Sequence, residues 1–560
     1  MNKVWLKSYP QGVPVNIDPS KYSSLVHLME ESFQAYQSRK AYVCMGTYLT
    51  YGELEEASRY LGAWLQQSGL KKGARVAIMM PNILQYPIAV SAALRAGFTV
   101  VNVNPLYTPR ELEHQLKDSG AEAIIVLENF ASTLEQVITR TQIKHVMVAS
   151  MGELLGTIKG RAVNFVVRKV KKMVPRFNLP RSITFQQALV VGAKSKLTPV
   201  DLGHEDIAFL QYTGGTTGLS KGAVLTHKNI IANVLQNDAW ASPAFQQDLN
   251  KGELATVCAL PLYHILALTA CMLMGLRWGA MNILIPNPRD IDGFVKTLGK
   301  HEFHFFPGVN TLYNALLNHK HFASIDFSAL RVSLGGGMAV QEVVGKRWLE
   351  TTGTPILEGY GLSETSPTAT LNPTTQKSFS GNIGLPIPST DIAILGENDQ
   401  MQPLGQAGEI AIRGPQVMRG YWNLPHETQQ VMTKDGFFKS GDIGVMDEQG
   451  YVKIVDRKKD MILVSGFNVF PNEVEAVVSA CPGVLECACI GIPDANSGEA
   501  VKLYVVRKDS SVTKEQLMAF CKAQLTGYKK PKVIEFRQEL PKSNVGKILR
   551  RELREEHQVA

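Results

Sequence analysis

Between residues 50 and 130, short apolar runs alternate with helix-length amphipathic stretches, and this limits what the chain can fold into more than any other feature. Thr50-Tyr-Gly-Glu53 has the form of a capping box. Behind it, Leu54, Ala57, Leu61, Trp64 and Leu65 recur on one helical face. RVAIMM (75–80) reads as a buried strand closed by Pro81-Asn82. A helix-like stretch runs to Ala96-Gly97, then FTVVNV (98–103), a polar helix near 109–119 and AIIVL (123–127). Strand, helix, strand, helix predicts a parallel sheet with helices on its faces. The pattern resumes after about 205 with AFLQY, and TVCAL (256–260) and MNILI (281–285) read as further strands.

From about 380 Gly and Pro become frequent (GNIGLPIPST, GQAGEI, RGPQVMRGYW) and the strands are short and alternating, which predicts a β-rich subdomain. A last unit reads strand (YVKIV), turn, helix (EVEAVVSA), strand (ECACIGI), strand (VKLYVVR), helix (513–524), strand (VIEF). The expected architecture is α/β. An N-terminal domain covers 1–456, with parallel α/β subdomains to about 379 and the β-rich subdomain over 380–456. A small α+β domain covers 457–560, within the usual size of a domain.

With 45% apolar and 19% charged residues in 560, the chain is neither disordered nor of low complexity. No uncharged apolar run reaches the length of a membrane-spanning helix. The opening MNKVWLKSYPQGVPVN has no apolar core and reaches Pro10 early, so no signal peptide is expected. Seven scattered cysteines argue against a disulfide framework. Cys487 and Cys489 lack metal-site spacing, so buried thiols in a reducing cytoplasm are expected.

The net charge of +8 is local. Lys159 to Arg181 holds eight basic residues and no acidic one, and the remaining charges balance. Val163, Val166, Val167, Val170, Met173 and Val174 recur there at helical spacing, with Arg168, Lys169, Lys171 and Lys172 on much of the rest. This predicts a basic amphipathic helix, which either lies on an anionic membrane or packs its valine stripe on the domain. Nucleic acid is not needed to explain the charge.

The clearest chemical motif is Tyr212-Thr213-Gly214-Gly215-Thr216-Thr217-Gly218-Leu219-Ser220-Lys221-Gly222, read as a loop between strand AFLQY and helix THKNIIANVL, with Thr226 as helix cap. The glycines let backbone N–H groups turn toward an anion, and the hydroxyls and Lys221 add donors and charge, which suits a polyphosphate. It is neither a Walker A loop nor a dinucleotide fingerprint.

This loop resembles the signature of the adenylate-forming superfamily: acyl-CoA synthetases, luciferases and peptide-synthetase adenylation domains. LPLYH (260–264), GGGM (335–338), EGYGLSET (358–365), GEI…RGPQVMRGYW (408–422), SGDIG (440–444), VDRKKD (455–460) and PKSNVGK (541–547) follow in the family's order. Residues 435–462 resemble the fatty-acyl-CoA synthetase signature, and the whole chain is most similar to bacterial long-chain fatty-acid–CoA ligases.

The resemblance implies two steps. A carboxylate attacks the α-phosphate of ATP to give an acyl-adenylate and pyrophosphate, and the thiol of coenzyme A then displaces AMP. It implies Lys547 bridging the carboxylate and the α-phosphate, Glu364 as Mg²⁺ ligand with Thr213 near the metal, and Ser363 on the α-phosphate. Asp442 and Arg457 would contact the ribose. Gly336, Gly337, Glu358, Gly359, Tyr360 and Gly361 would form the adenine slot, with Tyr360 stacking on the base. His264 would stand at the carboxylate end of the acyl pocket, whose continuation ILALTACMLMGL either lines an alkyl tunnel or is a buried helix. Lys459 would be the hinge of a mobile C-terminal domain, and Ser465, Gly466 and Phe467 would meet pantetheine. Three positions depart from relatives. Ser363 stands where the family often has Thr. Leu463 stands where some carry Lys, and Leu268 where some long-chain members carry a Trp gate. Relatives also suggest a homodimer.

The rival readings are an aromatic-acid CoA ligase of 4-coumarate type, a luciferase-like oxidase, an adenylation enzyme loading a separate carrier protein, and a non-catalytic scaffold. The apolar run after His264 and the 435–462 signature favour a long-chain fatty acid, and with it peripheral attachment at the cytoplasmic face of the inner membrane.

Overall fold

The computed structural model describes residues 2–213, 220–465, 467–494, 496–508, 512–543 and 546–559. Among them the alternating pattern becomes two large sheets. In one, Thr99–Asn102, Arg75–Met79, Ala123–Leu127, His145–Ala149 and Ser182–Thr184 run parallel in that order beside Ile207–Thr213. In the other, Ile356–Gly361, Val332–Gly335, Phe305–Gly308, Ala255–Cys258, Met281–Leu284 and Lys40–Cys44 run parallel.

The helix Gln85–Arg95 (QYPIAVSAALR) is buried at every residue, as expected of a helix apolar on most sides and packed between layers. Asn82, at its approach, ties strands of the two sheets, because its amide donates to the Cys258 and Leu260 carbonyls at 3.0 and 2.9 Å. Thr50 forms the expected capping box on helix Tyr51–Gln67, a cap contributing about 1 kcal/mol.

The β-rich part is an antiparallel sheet of Asp391–Leu395, Gly408–Arg413, Phe438–Met446 and Val452–Arg457. Strand YVKIV therefore closes this sheet and does not open the last unit, because its register partner is Phe438–Met446. The last unit has its own sheet, built on Val484–Asp494 and Gly498–Arg507, and its own apolar clusters.

Two further expectations are corrected. Lys221–Thr226 is a strand paired antiparallel with Ile207–Thr213, so the glycine-rich motif is a hairpin tip and does not lead directly into a helix. The cause is KGAVLT, an apolar run long enough to pair before Thr226 caps the helix His227–Lys251. The basic helix is shorter than its valine spacing implies. It runs Thr157–Phe165, adds a π-helical turn over Val166–Val170 and stops, with Lys172 at φ 51°. Val163 and Val167 pack inward, while Ile158, Phe165, Val166, Val170 and Met173 are exposed. All seven cysteines are free and buried.

Candidate active site

A cleft of about 2760 Å³ lies where the two large sheets, the β-rich sheet and the C-terminal unit meet. The described ends of the hairpin reach it from one side. Thr213 pairs with Lys221 across the hairpin, and Thr213, Ser220 and Lys221 line the cleft. Gly214, Gly215, Thr216, Thr217, Gly218 and Leu219 lie outside the described residues, as does Gly466. The base of the tip is anchored. Tyr212 donates to Asp118 at 2.5 Å, Trp422 Nε1 donates to the Asp118 carbonyl at 3.0 Å, and a His114 ring nitrogen hydrogen-bonds the Ser220 carbonyl at 3.0 Å. Lys221, expected as a cation for phosphate, is ion-paired with Glu427 and lies 5.2 Å from the Tyr421 ring centroid.

Tyr421 also reaches the candidate metal ligand. Its hydroxyl donates to Glu364 Oε1 at 2.8 Å. Glu364 sits in a single 3₁₀ turn, Ser363–Thr365, and burial raises its pKa. Ser363 lines the cleft beside it.

Asp442 and Arg457 face each other across adjacent strands, with Arg457 Nε 2.9 Å from Asp442 Oδ1. Tyr360 donates to the other oxygen at 2.6 Å. The strand carrying Tyr360 also carries Glu358, Gly359 and Gly361, and ends beside Gly336 and Gly337. At Gly361 a Cβ would lie 1.9 Å from the Pro367 carbonyl, so no side chain fits. Gly337 has φ +76°, a left-handed value that favours glycine. Burial pushes the Glu358 carboxyl up to about 8, and its Oε2 has no hydrogen-bond partner among the described residues.

Lys547 lines the cleft from the C-terminal unit. Its loop docks on the large body, where Thr311 donates to the Gly546 carbonyl at 3.1 Å. Burial, helped by Arg457, lowers its pKa to about 8. His264 lines the same cleft and caps the next helix, accepting from the Leu266 N–H at Nδ1. Burial and the nearby Lys547 ammonium lower it to about 4, so at neutral pH it is uncharged, with its proton on Nε2.

Not every expected residue joins the cleft. Lys459 lines it from the turn after Arg457. Ser465 and Phe467 are exposed on the C-terminal unit and do not line it, and Phe467 stacks on Tyr528 with ring centroids 4.7 Å apart. Leu268 is fully buried and does not line the cleft, so it does not stand in for the Trp gate.

Sequence reasoning missed Tyr421, Glu427, Asp118 and Arg550. Arg550 grips Glu475 through two nitrogens at 3.0 and 2.7 Å and Asp460 at 3.3 Å, three residues beyond Lys547. Only Tyr421 had a signal, its place in RGPQVMRGYW. The others act through partners far away in the chain.

Residues 29–422 match the AMP-binding enzyme family and 473–547 its C-terminal domain. The long-chain-fatty-acid–CoA ligase of Escherichia coli O6:H1 is 56% identical over 557 residues, covering 99% of this chain and 98% of the relative. The long-chain-fatty-acid–CoA ligase of Haemophilus influenzae is 52% identical, covering 99% of each chain. The crystal structure of ATP-bound MatB from Rhodopseudomonas palustris superposes with a TM-score of 0.82 at 27% identity, covering 95% of this chain and 99% of MatB.

Proposed function

This chain belongs to the AMP-binding enzyme family, and we propose that it is a long-chain-fatty-acid–CoA ligase, an AMP-forming acyl-CoA synthetase with ATP and coenzyme A as co-substrates. The observation that carries the reading is the full-length match to ligases of that name, joined to a cleft holding the family's motif residues.

In the first half-reaction a carboxylate oxygen of the fatty acid attacks the α-phosphorus and pyrophosphate leaves. Two anions must approach, so catalysis rests on placed positive charge. Lys547 supplies it as a mobile ammonium between carboxylate and α-phosphate. Neutral His264 offers its Nε2–H to the carboxylate without a second cation beside Lys547. Thr213, Ser220, Lys221 and Ser363 line the cleft where the phosphates would lie, and residues 214–219 and Gly222 of the same motif are assigned to the phosphates by the family resemblance. Asp442, fixed by Arg457 and Tyr360, accepts from the ribose hydroxyls, its carboxylate retaining lone pairs for both.

Glu364, with Thr213, would hold Mg²⁺. One buried carboxylate held by Tyr421 and a nearby hydroxyl fit a hard cation that takes its other ligands from water and phosphate. The ion would neutralise charge on the phosphates.

In the second half-reaction the thiol of coenzyme A attacks the acyl carbonyl and AMP leaves. We take residues 457–560 as the unit that turns about Lys459 between the steps, exchanging Lys547 for the loop at Ser465, Gly466 and Phe467. The present arrangement is the one with Lys547 inward. Ties across the boundary include Gln341 Nε2 to Ser479 Oγ at 2.8 Å, the Asn472 N–H to Asp456 at 2.8 Å, Lys458 to Glu409 at 3.2 Å and Thr311 to the Gly546 carbonyl at 3.1 Å.

The exposed apolar residues of 158–173, flanked by Lys169, Lys171 and Lys172, support peripheral contact with an anionic membrane at the cytoplasmic face, where long-chain acids partition. No helix among the described residues is long and apolar enough to cross one. A homodimer, which the family resemblance suggests, is part of this proposal, to be read by sedimentation.

The experiment is acid-dependent pyrophosphate release and CoA-dependent AMP release with palmitate against 4-coumarate. Preference for palmitate is expected, and preference for 4-coumarate would replace the fatty-acid reading with the aromatic one.

A further inference from the structure

The loop that carries Lys547 is closed on itself. Lys542 and Ile548 pair across its base, the Ser543 N–H donates to the Lys547 carbonyl at 2.7 Å, and the Gly546 N–H donates to the Ser543 carbonyl at 2.9 Å. Ser543 Oγ accepts from the Lys547 N–H at 3.1 Å. Lys542 is ion-paired at 2.6 Å with Glu486 of its own unit. The loop is therefore carried as one piece of the C-terminal unit, and the aim of Lys547 depends on where that piece is set down.

The large body offers a ledge for it. Asn310 and Thr311 open the helix Asn310–Leu317, and Asn310 Oδ1 accepts from the Gln341 N–H at 2.9 Å, which fixes Gln341 to the helix start. From this ledge Thr311 Oγ1 donates to the Gly546 carbonyl at 3.1 Å, and Gln341 Nε2 donates to Ser479 Oγ at 2.8 Å. The donors stand on the large body and the acceptors on the C-terminal unit.

The Thr311 contact acts on the backbone of Lys547. The Gly546 carbonyl and the Lys547 N–H belong to one planar peptide group. Thr311 holds its oxygen and Ser543 its nitrogen, so the plane from which the Lys547 side chain departs is pinned at both ends. Gly546 has φ +79°, and a Cβ there would lie 2.5 Å from Thr311 Oγ1, so this approach requires glycine. Withdrawal of Lys547 must break the contact, because Gly546 precedes it directly. The tie of Lys458 to Glu409 at 3.2 Å, beside the hinge, need not break.

We propose that Thr311 is a positioning residue for adenylation. Its hydroxyl seats the Gly546–Lys547 peptide so that the ammonium reaches the carboxylate and the α-phosphate, and it releases that peptide before the thioester step. Gln341 is a second point of the same seat. The proposal rests on the two half-reactions described above and adds the groups that hold the C-terminal unit in place for the first.

The test compares single-turnover pyrophosphate release, at saturating ATP and palmitate, with thioester formation from preformed palmitoyl-adenylate and coenzyme A. The ratio of the two rates does not depend on the fraction of enzyme folded. Thr311→Val keeps the side-chain shape and removes the donor. It should slow pyrophosphate release roughly three- to tenfold, the worth of one neutral hydrogen bond, while thioester formation is as fast as in wild type or faster. Thr311→Ser returns the donor and should restore the ratio. Gln341→Met should lower the ratio as Thr311→Val does, and an unchanged ratio there would remove Gln341 from the seat. An unchanged ratio in Thr311→Val, through no loss or through equal loss of both steps, would overturn the proposal, as would a loss that Thr311→Ser does not restore. Failure of wild type to release pyrophosphate with any fatty acid would instead overturn the underlying reading.

Discussion

Arg457 and Asp442 are register partners on adjacent strands, and their side chains meet at 2.9 Å in a cleft wall built largely by other parts of the chain. Tyr360 completes the arrangement from another sheet at 2.6 Å. Asp442 is thus aimed from two sides before nucleotide arrives. Tyr360→Phe removes a hydrogen bond to a charged group, about 1.5–3 kcal/mol. KM for ATP should rise roughly tenfold or more, with KM for palmitate nearly unchanged. Equal rises in both would show a general loss of the cleft.

Lys547 should separate the half-reactions. Lys547→Ala is expected to lower adenylation by roughly 10²–10³-fold, the size of loss seen when one preorganised charge-stabilising donor is removed. Thioester formation from preformed palmitoyl-adenylate should be largely spared. Equal loss of both steps would rule the assignment out.

The lowered pKa of Lys547 gives a pH signature. The ammonium is the active form, so kcat/KM for adenylation should fall as pH rises through about 8. Lys547→Arg should lose that alkaline limb, whatever rate it retains, because guanidinium does not titrate there. An identical limb in the Arg variant would assign the titration to another group.

Glu358 predicts a pH-dependent stability. Folding raises its carboxyl from the usual carboxylate range to about 8, so between those values the folded state binds more protons and stability falls with rising pH. Glu358→Gln mimics the protonated acid. At pH 8.5 it should raise Tm by roughly 2–4 °C and flatten the pH dependence of Tm. A lower Tm at that pH would show that the ionised carboxylate is the preferred form.

At the proposed membrane face, Lys169→Gln, Lys171→Gln and Lys172→Gln should each weaken binding to anionic liposomes by about 1 kcal/mol and together reduce its salt dependence. Phe165→Ser and Val170→Ser should weaken binding without changing the salt slope. Arg168 belongs to a different class. It pairs with the buried Glu128 at 2.9 Å, so Arg168→Gln should lower Tm. Liposome binding unaffected by the Lys and apolar variants would exclude this surface.

The sequence by itself determined the alternating α/β body, because apolar periodicity reports which faces are buried whatever the partner. It also determined the order of the motif residues, and the structure gathers Glu364, Asp442, Arg457, His264 and Lys547 around one cleft. Tertiary structure alone decided that the glycine-rich motif is a hairpin tip, since KGAVLT could as well have been a buried lead-in to the helix. It alone split the basic segment into an inward pair, Val163 and Val167, an outward apolar face and one committed arginine, because the position of Glu128 is not a local property. It decided, too, that Lys221 and Glu364 are bridged by Tyr421. Local pattern encodes burial and propensity; partners 39 to 206 residues apart, such as Arg277 with Asp238 and Lys221 with Glu427, are chosen by packing of the whole chain.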